Sequence, residues 1–198
     1  MVRAVCFDLM DTVLYDPYRE ALAAATRARA AELAKYRDPT CWPDFEIGAI
    51  DEAEFARRFF REGAEGVSFD IGAFHRVRRE GYRFLPGMRE ILEALSGRAL
   101  RFVASNYPVW VEELRATFAL DGLFEGIYSS HHLRVRKPAR EFFDRLVSRI
   151  GVDAGGCLFI DDRAENCDAA AAVGMRAHLF DGAAGLRDRL VREGLLDP

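Results

Sequence analysis

Four short polar clusters hold residue types that suit chemistry at an anion. "DLMDT" carries Asp8, Asp11 and Thr12 directly after an apolar run. "VASN" ends another apolar run with Ser105 and Asn106, "VRKP" holds Lys137, and "FIDD" ends in Asp161 and Asp162. A carboxylate at one strand end and a carboxylate pair at another are the oxygen donors a hard divalent cation such as Mg²⁺ takes. Ser105, the backbone around it and Lys137 supply an anion clasp beside that cation, the lysine as a compact point charge. A phosphoryl group neutralised in this way is open to attack by an anionic carboxylate. Taken singly, each cluster also reads as ordinary structure: a turn or cap aspartate, a Ser-Asn turn, a solvated loop lysine. Lys137 stands out because only it and Lys35 are lysines; every other basic residue is arginine.

The clusters need elements to bring them together. "RAVCFD" (3–8), "ALRFVAS" (99–105), "EGIYSS" (125–130), "GCLFIDD" (156–162) and "MRAHLF" (175–180) read as short buried strands. Helical patterns over 87–97, 109–119, 138–150, 164–173 and 183–194 alternate with them. This alternation predicts an α/β fold, a Rossmann-like parallel sheet flanked by helices. In such sheets ligands sit beyond the carboxyl ends of the strands, where the polar clusters fall. Residues 16–84 break the pattern with three helix-like segments, about 18–37, 51–62 and 70–83, and no strand signal. "RDPTCWPDF" and "EGAEGVSF" between them are turn-rich. The expected division is therefore a core over 1–15 and 85–198 and a small all-helical cap domain over 16–84. Pairs such as Phe55–Phe59 fit helix packing better than a ligand box.

Composition limits the alternatives. Half of the 198 residues are hydrophobic, and a net charge of −4 with mixed signs gives no footprint for nucleic acid. No apolar run reaches the ~20 residues of a membrane helix, and Asp8 interrupts the one stretch that could act as a secretory signal. Cys6, Cys41, Cys157 and Cys167 have no C-x-x-C spacing and read as reduced, buried thiols of a cytoplasmic protein.

The order and spacing of the clusters resemble the haloacid dehalogenase (HAD) superfamily of aspartate-nucleophile hydrolases over essentially the whole chain. "FDLMDTVLYD", "VASN", "VRKP" and "FIDDRAENCDAAAAVGM" are similar to its four motifs in order. "WPDFEIGAIDEAEFARRF" and "LPGMREILEAL" look like stretches of members with a helical cap after the first motif. The resemblance implies a Mg²⁺-dependent phosphatase acting on a small phosphorylated metabolite through an aspartyl-phosphate on Asp8. It makes Asp8 nucleophile and metal ligand, Asp161 a second ligand, and Asp162 a support for metal waters or Lys137. It places Ser105 and Thr12 on the phosphoryl group, with Asn106 beside them. Lys137 would stabilise the nucleophile and the developing charge, and Met10 would offer the metal its backbone carbonyl.

Met10 is the departure. Most family phosphatases carry an aspartate there as general acid and base, a contribution of ~10²–10⁴-fold. A thioether has no proton to give. Asp11 is the adjacent substitute, although neighbouring residues of an extended loop point in different directions. Two other readings follow from Met10: a haloacid dehalogenase-type hydrolase of carbon–halogen bonds, and a phosphoryl-binding protein with impaired turnover. The Asp161–Asp162 pair favours the metal-dependent phosphoryl reading. Tyr15, Asp16, Trp42, Asn106, Tyr107, His131 and His132 are the expected pocket residues.

Overall fold

The computed structural model describes residues 1–26, 33, 35–64 and 66–198. Its centre is a parallel sheet of β1 (Ala4–Phe7), β4 (Leu100–Ser105), β5 (Gly126–Ser129), β6 (Cys157–Asp161) and β7 (Arg176–Leu179), in the order β5-β4-β1-β6-β7. β1 lies in the middle, Phe7 level with Val103 on one side and Ile160 on the other. Both faces of β1 are covered, so all four of its residues are buried. Val5, Phe7, Val103, Leu158 and Ile160 face one core, closed by α5 (Met88–Ala94) and α10 (Ala183–Arg192). Ala4, Cys6, Ala104, Cys157 and Phe159 face the other, closed by α8 (Arg140–Ile150) and α9 (Ala164–Ala172). The two-residue alternation of a strand produces this division. All four cysteines are free and buried, as expected.

Between β1 and α5 the chain forms a helical layer. It comprises α1 (Tyr18–Thr26), α2 (Cys41–Glu46), α3 (Glu52–Arg58) and α4 (Ile71–Gly81). Asp51 and Asp70 start α3 and α4 as side-chain caps, accepting from the Glu54 and Ala73 amides at 2.8 and 2.9 Å. An aromatic cluster fills the layer: Phe45 stacks on Phe55 at 4.8 Å and Phe59 on Phe69 at 4.1 Å. Phe55 and Phe59 are fully buried there, in agreement with the packing role.

The layer differs from the sequence reading in two places. "RDPTCWPDF" holds all but the last residue of α2; Asp38 Oδ1 takes the Thr40 amide at 2.8 Å, and Pro43 falls in the helix's first turn, where its missing N–H is harmless. The stretch expected to be strandless ends in a strand: β2 (Leu14–Tyr15) pairs antiparallel with β3 (Arg83–Phe84), joining the two crossings between layer and core. Two residues are too few for a period-two signal. The expected helix over 18–37 is seen as α1 up to Thr26; residues 27–32 and 34 lie outside the described residues.

Polar contacts fasten the layer to the core. α6 (Val111–Thr117) contributes Glu113, which accepts from the fully buried Arg78 of α4 at 2.6 Å, and the Arg78 guanidinium lies over the Trp110 ring at 4.4 Å. α7 (Ser130–Leu133) brings Ser130, which donates to the Glu46 carbonyl at 2.9 Å. Arg134 donates to the Ile47 and Gly48 carbonyls at 3.0 and 2.8 Å.

Candidate active site

The carboxyl ends of β1, β4 and β6 meet in the middle of the sheet, so Asp8, Ser105 and Asp161 converge without help from any loop. Lys137 arrives from the segment between α7 and α8. Its position is fixed by Asn106, which accepts from the Lys137 amide at 2.8 Å and donates to the Lys137 carbonyl at 2.9 Å. The lysine stem is thereby aimed inward, under the strand ends, where Nζ lies 2.9 Å from Asp8 Oδ1 and 2.6 Å from Asp161 Oδ2. Nζ also donates to the Ala104 carbonyl at 2.9 Å. Two hydrogen bonds and one ion contact thus surround one tetrahedral nitrogen. A planar guanidinium cannot reproduce that arrangement, which is why a lysine is kept in so arginine-rich a chain.

Asp161 is completely buried and further held by the Arg163 amide at 2.9 Å and by Asn166 Nδ2 at 2.9 and 3.1 Å. Asp8, Asp161 and Asp162 each present a carboxylate oxygen within 4.8 Å of the others. One ammonium against this much negative charge leaves a residue of crowding. Burial, with the charges of Asp8, Asp161 and Asp11, pushes Asp162 up to about 6. Burial also raises Asp8, opposed by Lys137 and helped by Asp161. For Lys137 burial works against the charge, but Asp8 and Asp161 outweigh it and hold the ammonium above its usual range. The donor set is all oxygen, anionic and crowded, which suits a hard divalent cation.

The loop after Asp8 turns sharply. The Leu9 carbonyl accepts from Val13 and Leu14 at 3.0 and 2.8 Å, bonds in which the Met10 carbonyl takes no part. Asp11 adopts φ 54°, a left-handed conformation that short polar residues tolerate, and its Oδ1 accepts from the Asp16 amide at 3.1 Å. Met10, a member of the buried hydrophobic core, also lines a cavity of about 290 Å³ between core and helical layer.

Asp8, Asp11, Ser105, Asn106, Lys137 and Asp162 line this cavity, as the sequence led one to expect. So do Asp16, Trp42 and Tyr107. Thr12 does not reach it: the residue is fully buried, and its hydroxyl has no hydrogen-bond partner among the described residues. Tyr15 turns away to Glu20, and His132 pairs with Glu112 at 2.9 Å, so neither these nor His131 belongs to the cavity. Tyr18, Arg37, Glu46, Arg136, Arg163 and Asn166 line it without having been singled out. Four of them are charged residues in a chain rich in such residues, where spacing alone does not separate a pocket arginine from a surface one. Glu46 is buried with both oxygens engaged, one by the Trp42 indole at 2.6 Å and one by Arg136. Burial pushes it up to about 7 against those partners.

A parallel sheet with carboxylates and a lysine at its centre and a helical layer above them defines a hydrolase fold of the HAD type. The profile of haloacid dehalogenase-like hydrolases matches residues 2–174, and the chain belongs to that family. It is 34% identical over 190 residues to flavin mononucleotide hydrolase 1, chloroplastic, of Arabidopsis thaliana, covering 96% of this chain and 76% of that protein. It is 29% identical over 163 residues to the sesquiterpene phosphatase astK of Aspergillus oryzae, covering 80% and 82%. In fold it is similar to the HAD family enzyme bt-2542 from Bacteroides thetaiotaomicron, solved in complex with magnesium and inorganic phosphate. The TM-score is 0.75 at 16% identity over 92% of this chain and 96% of that one. Among the described residues, no helix is long and apolar enough to cross a membrane.

Proposed function

We propose that the chain is a Mg²⁺-dependent phosphohydrolase that cleaves small phosphate monoesters through an aspartyl-phosphate on Asp8. The observation that carries this reading is the Lys137 ammonium shared between Asp8 and Asp161, with Asp162 beside them, at the floor of the cavity. Asp8, Asp161 and Asp162, with the Met10 carbonyl, are the residues that would hold Mg²⁺. Bound there, the ion supplies positive charge to the phosphoryl oxygens. The chain's own residues do the rest. Lys137 keeps Asp8 oriented and ionised and meets the charge that develops on the phosphoryl group. The Ser105 hydroxyl, buried at the end of β4, is placed to donate to a phosphoryl oxygen, and Asn106 acts through Lys137. Asp11 shapes the turn after the nucleophile.

The alcohol portion of the ester would lie toward Tyr18, Arg37, Trp42 and Tyr107, an aromatic wall with one cation. Flavin mononucleotide, the substrate named for the Arabidopsis relative, is the first ester to try. The test is phosphate release from a panel of phosphate esters with Mg²⁺ or EDTA, for wild type and Asp8→Asn. Release that needs Mg²⁺ and is lost in Asp8→Asn supports the reading; release that persists in Asp8→Asn refutes it.

A further inference from the structure

A phosphate monoester of an aliphatic alcohol leaves as an alkoxide unless a proton reaches its oxygen, so cleavage near neutral pH needs a proton donor at the cavity. Met10 occupies the loop beside Asp8 and has none. Among the described residues lining the cavity, three carboxyls hold their proton toward neutrality: Asp16, Glu46 and Asp162. Asp162 belongs to the carboxylate cluster suited to the metal. Glu46 has both oxygens engaged, by Trp42 and Arg136. Asp11 is exposed, and its Oδ1 is occupied by the Asp16 amide.

Asp16 is different. It stands where the chain passes from β2 into α1, at the rim between core and helical layer, and lines the same cavity as Asp8. Its Oδ1 accepts from the Tyr18 amide at 3.0 Å, which fixes the side chain; Oδ2 takes no hydrogen bond from the described residues. The charges that reach it are Asp11 and Asp8 from its own segment and Glu20 from α1. From the other elements the bonded phenols of Tyr82 and Tyr107 stand close enough to feel its charge.

We propose that Asp16 is the general acid and base of this site, in the role that Met10 cannot fill, an assignment that rests on the phosphohydrolase reading. In the first half-reaction an Asp8 oxygen bonds to phosphorus while the bond from phosphorus to the alcohol oxygen breaks. The leaving oxygen keeps that electron pair and takes the Asp16 proton, so the alcohol departs neutral and Asp16 is ionised. In the second half-reaction a water gives its proton to Asp16 as its oxygen attacks phosphorus. The bond from phosphorus to Asp8 breaks, its electron pair returns to the Asp8 carboxylate, and inorganic phosphate leaves with Asp16 protonated again. Burial and the neighbouring carboxylates push Asp16 up to about 7, where one group can serve both halves.

The test compares wild type and Asp16→Asn on flavin mononucleotide and glycerol 3-phosphate, which are alkyl esters, and on p-nitrophenyl phosphate, whose phenolate leaves without a proton. The carboxamide oxygen introduced by Asp16→Asn can still accept from the Tyr18 amide, so the turn is kept. The variant is expected to lose ~10²–10⁴-fold on the alkyl esters. On p-nitrophenyl phosphate it should give a burst of one p-nitrophenol per active site, then turn over slowly as phospho-Asp8 accumulates. The burst also shows that the variant is folded, and Asp16→Ser should behave in the same way. In the wild type the single-turnover rate on the alkyl ester should fall as pH rises through about 7, and this limb should vanish in Asp16→Asn. Alkyl-ester turnover equal to wild type, an unchanged pH limb, or loss of the burst in both variants overturns the assignment alone. Wild-type protein that releases phosphate from none of the three esters overturns it together with the phosphohydrolase reading.

Discussion

Lys137→Met removes the ammonium and keeps most of the stem, so it isolates what the charge does. Nζ is within 2.9 Å of Asp8 and 2.6 Å of Asp161, and the lysine side chain is only 1% exposed. Without it two buried carboxylates face each other with no cation between them. Breaking a buried ion pair from one side costs roughly 3–5 kcal/mol. Against the ~5–15 kcal/mol that holds a typical domain together, this is a large share. For a chain of this length it corresponds to a fall in Tm on the order of 10 °C. The cost should depend on pH, because the orphaned carboxylates can take up protons. A carboxyl that binds its proton more tightly folded than unfolded stabilises the fold at low pH and loses that contribution as pH rises. The gap between variant and wild type should therefore be small near pH 4 and full near pH 7. Urea unfolding at a series of pH values, in EDTA, reads it directly. A gap below about 1 kcal/mol at pH 7, or one that does not change with pH, would refute the placement of Lys137 as a buried counter-ion.

Two further outcomes follow from the cavity. Met10→Asp should raise alkyl-ester turnover less than about 10-fold, because Asp16 already supplies the proton; a gain of 100-fold or more in steady-state assays would contradict that assignment. Glu46→Gln should become more stable relative to wild type as pH rises from 5 to 7.5, by roughly 2–3 kcal/mol, since the Glu46 carboxyl is pushed up to about 7 and the wild type must ionise it there. A stability difference that stays constant with pH in chemical denaturation would mean that Glu46 titrates like a surface glutamate.

The centre of the sheet was legible because β1, β4 and β6 are short, largely apolar and buried, and each ends at a polar residue. Asp8, Ser105 and Asp161 are those closing residues, so reading the strands also located the floor of the cavity. Lys137 was legible for a different reason: it is one of two lysines among many arginines. The sequence was silent where local signals are brief or absent. β2 and β3 are two residues each, and α2 begins behind a Pro and an Asp that read as a turn. Glu46 and Arg37 reach the cavity through the folding of the helical layer over the sheet, a tertiary arrangement that spacing does not encode. Thr12, on the loop after Asp8, is fully buried, and its hydroxyl has no hydrogen-bond partner among the described residues.

The central claim is that Asp8 carries the phosphoryl group. Wild-type protein mixed with Mg²⁺ and p-nitrophenyl phosphate, then quenched in acid within the first turnover, should yield an Asp8-containing peptide one phosphoryl group heavier by mass spectrometry. The Asp8→Asn protein should show neither that peptide nor released phosphate. Phosphate released by wild type with no phosphoryl group found on Asp8, or on another residue instead, would contradict the account.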